Sequence, residues 1–196
     1  MIGAMTSRVS ALSSPANLLT IGRIAASPFL FWMILSAEDT RGTSWAAFVF
    51  GWILGATDFY DGKLARRSGN VSRSGAFLDP LADKIVVLGA MVCLVMVDRY
   101  WWVPVAIIAA REWGITIWRT FWAGHGLAIP ARQSAKYKTF LQGFALALAV
   151  CPWLEDAQGF ISGFLWFVTV VTVVTGVQYL LDGRAAMSET GYAAGA

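Results

Sequence analysis

Apolar residues run along this chain in long stretches separated by short polar breaks. Six stretches, at roughly 17–36, 44–66, 76–98, 101–122, 137–154 and 159–181, each approach the ~20 residues needed to cross a hydrocarbon core. In lipid a backbone must satisfy its hydrogen bonds within its own segment, so each stretch is predicted to be a helix. The period-2 alternation of barrel strands is absent. The fold class is therefore read as all-α: a polytopic membrane protein, a bundle of six transmembrane helices. Residues 1–14, small and hydroxyl-rich, form an N-terminal arm for which a surface helix or a loose strand of chain is expected. The membrane domain covers 15–182. The Ala/Gly/Ser-rich segment 183–196 is expected to be a flexible tail. Arg23 interrupts the first apolar stretch, which is also too long for a signal peptide.

Composition agrees with a bilayer. Apolar residues make up 57% of the chain, against about 45–50% in soluble domains. Charged residues are 14%, against about 25%. Disorder, a secreted disulfide scaffold and a DNA-binding module all fit poorly. Cys93 and Cys151 sit in apolar runs as small hydrophobes. His125, the single histidine, does not make a zinc site alone.

The net charge of +3 reads as basic cytoplasmic loops rather than a nucleic-acid surface. With six spans, one set of connections holds only Arg41 and Arg99 as basic residues, beside Glu38, Asp39, Asp98, Glu155 and Asp156. The opposite side takes the rest, including Arg8, Lys63, Arg66, Arg67, Arg73, Arg132, Lys136, Lys138 and Arg184. The positive-inside rule then puts both termini and the connections 67–75 and 123–136 in the cytoplasm. Trp101, Trp102 and the other tryptophans are read as interface anchors.

The informative polar residues are carboxylates. Asp58 and Asp61 are three apart, and Asp79 and Asp83 four apart, so each pair shares a helix face. The first pair lies near the cytoplasmic end of the second span and the second near the cytoplasmic start of the third. Antiparallel neighbouring helices would bring all four to one depth. Four carboxylates beside lipid repel one another and need a cation. An ion-paired rim with Arg66 or Lys63 explains neither the paired spacing nor the small residues between. Hard divalent ions, Mg²⁺ or Mn²⁺, explain both. Two ions suit the ligand count and a displacement at phosphorus. Gly62, Ala65 and Gly75 allow close helix or substrate approach, and Arg66, one turn beyond Asp61, is placed to hold a phosphate.

From Asp58 to Asp83 the pattern D-x-x-D-G-x-x-A-R, eight residues, then G-x-x-x-D-x-x-x-D is complete. It resembles the signature of the CDP-alcohol phosphotransferase superfamily. Pro15-Ala-Asn17-Leu-Leu-Thr20-Ile-Gly-Arg23 resembles that family's opening helix. Arg111-Glu112-Trp-Gly-Ile-Thr and Lys136-Tyr-Lys138-Thr look like the branch that makes phosphatidylglycerol phosphate. The resemblance implies a homodimeric enzyme of a bacterial-type inner membrane, its active site facing the cytoplasm. It would move a phosphatidyl group from CDP-diacylglycerol to an alcohol and release CMP. Asp58, Asp61 and Asp79 would be metal ligands, and Asp83 a ligand, the general base, or both. Gly62, Ala65, Arg66 and Gly75, with Asn17, Thr20 and Arg23, would line the CDP-diacylglycerol pocket.

The acceptor is read from a second basic set: Arg111, Arg119, Lys136 and Lys138. Arg111 lies deep in the fourth span, where an arginine is expected to face a polar interior. Glu112 adjoins it in sequence but is expected to point elsewhere on the helix. Positive-inside bias alone accounts for the lysines. Joined to Arg111, they suggest an anionic acceptor, and glycerol 3-phosphate is the simplest. Alternatives are phosphatidylglycerol (a cardiolipin synthase), inositol phosphate in the same superfamily, and a non-enzymatic cation transporter.

Overall fold

The computed structural model describes the backbone of residues 15–68, 75–124 and 134–189, and the side chains of residues 20–57, 81–124 and 137–185. The arm 1–14, the last residues and His125 lie outside them. The described chain is all-helical, without a strand. Six α-helices run in order: α1 Pro15–Leu35, α2 Trp45–Ser68, α3 Gly75–Met96, α4 Trp102–Gly124, α5 Ser134–Val150 and α6 Gln158–Glu189. Single 3₁₀ turns at Glu38–Thr40 and Pro152–Leu154 follow α1 and α5.

Two helix ends differ from expectation. Helix α5 stops at Val150 instead of 154 because Pro152 pushes the preceding residue out of the helical region; Cys151 is extended, with φ −71° and ψ 118°. Helix α6 continues to Glu189, past the expected tail boundary at 183. Arg184, Ala185, Ala186 and Met187 are good helix formers and carry it beyond Gly183. By length and composition, one described helix, Gln158–Ala185, is apolar and long enough to cross a membrane. Shorter apolar helical stretches lie at Thr20–Leu35, Trp45–Thr57 and Tyr137–Val150.

The chain forms two compact units: the described residues up to Arg99 with Leu146–Asp156, and Tyr100–Ala145 with the described residues from Ala157. In the first unit, α1 packs on both α2 and α3, most broadly on α3. The packing of α1 on both was not foreseen; the expected contact of α2 with α3 falls on residues whose side chains, Asp83 apart, lie outside the described residues. Helix α1 buries Thr20, Arg23, Ser27, Leu30 and Ile34, one stripe of helical spacing that grades from polar to apolar. Pro28 removes the N–H that would bond the Ile24 carbonyl, and the Ser27 hydroxyl donates to that carbonyl at 2.8 Å instead. Phe31 lies against the α3 backbone at Gly89, where a Cβ would stand 2.3 Å from a ring carbon.

The end of this unit opposite the carboxylates is closed by Arg99. Its side chain is fully buried and donates to the carbonyls of Ala149 (3.1 Å), Leu154 (2.5 Å) and Glu155 (2.7 Å). These are carbonyls at the end of α5 and in the turn beyond, which helix termini leave without internal partners. Arg99→Met should therefore destabilise the protein by about 3 kcal/mol or more, since buried acceptors lose charged donors. Unfolding in detergent checks this; unchanged stability would show that the clasp is dispensable.

In the second unit, α4 packs on α6. Helix α4 buries Val105, Ile108 and Glu112, and α6 buries Ile161, Leu165, Val168, Thr169 and Thr172. Both stripes grade from apolar to polar toward the helix C-terminus. Tyr100 donates to the Ala145 carbonyl at 2.8 Å. The exposed faces of both units are apolar: Trp32, Trp52, Met96, Ile117, Phe140, Phe167 and Val170 are each at least half exposed.

Candidate functional site

The signature is carried by two consecutive helices. Asp58, Asp61, Gly62, Ala65 and Arg66 lie in the C-terminal half of α2, and Gly75, Asp79 and Asp83 in the first half of α3. Asn17 is in the first turn of α1, and Lys136 opens α5. Of these, only Asp83 has a described side chain, so convergence of the four carboxylates is a matter outside the described residues. Among the described residues no three His, Cys, Asp or Glu side chains come together.

Asp83 is about one-third exposed and accepts from Arg23 Nη1 at 2.6 Å. Arg23 is buried, one turn beyond buried Thr20. Two sequence features sixty residues apart are thus joined: the opening-helix motif and the last signature aspartate. The chemistry of the donor set fits a hard cation. The signature offers carboxylate oxygens and no soft ligand, and Asp83 keeps a solvent-facing surface.

A second polar cluster lies within the other unit. The Glu112 carboxylate accepts at Oε1 from Lys138 Nζ, from Arg111 Nη1 at 3.1 Å and from Gln142 Nε2 at 3.5 Å. Gln142 also donates to Thr172 Oγ1 at 3.3 Å. Arg111 continues to α6, with Nε on the Thr172 carbonyl at 3.1 Å and Nη2 on Thr175 Oγ1 at 3.4 Å. The expectation that Glu112 points away from Arg111 is overturned. The arginine side chain is long enough to bend back to its neighbour, and the ammonium of Lys138 draws the carboxylate into the same interior. Arg111, Glu112 and Lys138 side chains are only 13%, 8% and 7% exposed. Two cations face one carboxylate there.

Arg119, two turns further along α4, is exposed and makes no ion pair among the described residues. The structure thus brings Arg111 and Lys138 together and leaves Arg119 outside their bonds. Sequence reasoning missed Glu112, Gln142 and Thr172 as parts of this cluster. It also missed Tyr179, whose ring meets Trp118 edge-on at 5.9 Å and whose buried hydroxyl has no hydrogen-bond partner among the described residues. Glu112 was legible as a second buried charge beside Arg111. Gln142, one turn after Lys138 in an apolar helix, was the other available signal.

A model of the CDP-alcohol phosphatidyltransferase family matches residues 14–185. The chain belongs to that family. The resemblance carried by Asp58–Asp83 is borne out. Among similar proteins, a probable phosphatidylglycerophosphate synthase of Mycobacterium tuberculosis is 37% identical over 182 residues, covering 86% of this chain and 81% of that one. A CDP-diacylglycerol–glycerol-3-phosphate 3-phosphatidyltransferase of Shigella flexneri is 36% identical over 177 residues, covering 86% and 94%. The fold is similar to the crystal structure of Mycobacterium tuberculosis phosphatidylinositol phosphate synthase in complex with manganese and citrate. There the TM-score is 0.60 and the identity 19%, with 93% of this chain and 87% of that one covered.

Proposed function

We propose that this family member is a phosphatidylglycerophosphate synthase: it transfers the phosphatidyl group of CDP-diacylglycerol to glycerol 3-phosphate and releases CMP. The observation that carries the reading is the complete signature on α2 and α3, with its last aspartate, Asp83, bonded to Arg23 of α1. Asp58, Asp61, Asp79 and Asp83 would hold two divalent ions, Mg²⁺ or Mn²⁺. When bound, such ions offset the negative charge of the pyrophosphate and of the departing CMP. Asp83, which as a carboxylate only accepts, is assigned to take the proton of the attacking hydroxyl. The new bond forms between that hydroxyl oxygen and the phosphorus bearing the diacylglycerol. The bond from that phosphorus to the CMP oxygen breaks. Gly62, Ala65, Arg66, Gly75, Asn17, Thr20 and Arg23 are assigned to the CDP-diacylglycerol pocket.

Glycerol 3-phosphate is favoured because Arg111 and Lys138 bring two cationic side chains into a buried cluster with Glu112. Cationic donors gathered in one buried polar cluster suit a phosphate, and glycerol 3-phosphate carries one. Lys136 and exposed Arg119 are assigned to the approach of the same anion. Purified protein given CDP-diacylglycerol and single acceptors should release CMP with glycerol 3-phosphate. Use of phosphatidylglycerol or inositol phosphate in its place would reassign the product. No CMP with any acceptor would overturn the transferase reading.

The six-span arrangement in an inner membrane rests on the apolar exposed faces and on where the polar positions fall along the chain. They lie at the start of α1 (Thr20, Arg23), the end of α2 (Asp58, Asp61) and the start of α3 (Asp79, Asp83). They recur at the centre of α4 (Arg111, Glu112), from the first half to the middle of α5 (Lys138, Gln142) and at the centre of α6 (Thr172, Thr175). From α1 to α3 this start–end–start alternation is what successive up and down crossings produce when the polar ends share one side. Cysteines introduced at Asn70 and Ala128 should react with an impermeant reagent from the cytoplasm, and at Thr40 or Asp156 from the far side. The native thiols, Cys93 and Cys151, are buried and give little background. Labelling of position 70 from outside would overturn this topology. Assembly as a homodimer is part of the same proposal, and cross-linking in the membrane tests it.

A further inference from the structure

The α6 glycines differ in what surrounds them. A Cβ built at Gly159 or Gly163 meets nothing within 4 Å. At Gly176 the three nearest atoms all belong to Arg111: Nε at 2.9 Å, Cγ at 3.1 Å and Cδ at 3.6 Å. A helical side chain covers the turn on its N-terminal side, so a side chain at 176 would cover the Thr172 carbonyl. That carbonyl accepts from Arg111 Nε at 3.1 Å. Gly176 therefore leaves open the one path by which the arginine of α4 reaches the α6 backbone. Two further bonds, to Thr175 Oγ1 and Glu112 Oε1, fix the rest of the fork.

We propose that Gly176 is a positioning residue for the acceptor: its missing side chain seats the Arg111 guanidinium so that it presents its fork to the acceptor phosphate. The proposal rests on the reading of Arg111 as an acceptor-phosphate residue. Gly176 acts through Arg111 and does not touch the substrate. The three atoms nearest such a Cβ all belong to the Arg111 side chain, so the arginine is the group that must give way.

The test is a double-mutant cycle on purified protein, with KM for glycerol 3-phosphate and for CDP-diacylglycerol measured separately. Gly176→Ala should raise the acceptor KM about tenfold, the scale of one charged hydrogen bond. It should leave the donor KM and the melting temperature near those of the parent. Thr175→Val, which removes the Nη2 partner with little change of shape, should raise the acceptor KM severalfold. In an Arg111→Ala background neither change should add anything, because the group they position is gone. If Gly176→Ala leaves the acceptor KM unchanged, or costs as much without Arg111 as with it, Gly176 is a packing glycine and the proposal falls. The acceptor reading would then stand on Arg111→Ala alone. If Arg111→Ala itself leaves the acceptor KM unchanged, that reading falls, and this proposal with it.

Discussion

Asn in place of Asp58, Asp61 or Asp79 should lower turnover by on the order of 100-fold or more, with the protein still folded. The change keeps side-chain shape and removes one unit of negative charge from an oxygen donor set. A hard divalent ion depends on that charge. The parent should lose activity on chelation and regain it with Mg²⁺ or Mn²⁺. Asp83→Asn is the informative companion. The amide oxygen can still accept from Arg23 Nη1, now 2.6 Å from the carboxylate, so the link between α1 and α3 survives. What disappears is the ability to take a proton. Turnover should therefore fall more than donor binding. Full activity of metal-free protein in EDTA would overturn the metal assignment. Parental turnover in Asp83→Asn would remove that residue from proton transfer.

The helices were legible because length and apolarity suffice to specify them, and because the proline of Pro152 and the good helix formers after Gly183 explain the two displaced ends. The signature was legible for a different reason: paired aspartates three and four apart in an apolar chain have few structural uses. Two things were not legible. Spacing within a helix says which residues share a face but not which helix lies against it, so the packing of α1 on both signature helices was missed. Nor does spacing govern where long side chains turn. Arg111 and Glu112, one residue apart, were expected to diverge, yet both reach the same interior. Their bonds are set by Lys138 and Gln142 of α5 and by the carbonyl of Thr172. Gly176 was invisible for a similar reason, since its effect lies in the arginine it admits and not in its own helix.

Removing the Arg111 guanidinium should cost the protein its grip on the acceptor phosphate. Arg111→Ala removes one of the two cations bonded to Glu112 and with it the planar fork suited to a phosphate. A lost charged hydrogen bond is worth ~1.5–3 kcal/mol, or roughly 10- to 150-fold in acceptor efficiency. Arg111→Lys should also be harmful. The ammonium keeps the charge but lacks the Nε that bonds Thr172 and the planar fork that grips a phosphate in two places. Lys138→Met should act in the same direction, because it removes the other cation bonded to Glu112 among the described residues. Donor and metal dependence should change little in all three, because those are assigned to the signature helices. Free glycerol, which has no phosphate to lose, should be a poor acceptor for the parent and hardly poorer for the variants. The gap between glycerol and glycerol 3-phosphate should therefore narrow. If neutralising both Arg111 and Lys138 leaves that gap intact, the phosphate is bound elsewhere. The transferase chemistry at Asp58–Asp83 would then have to draw its acceptor from another set of residues.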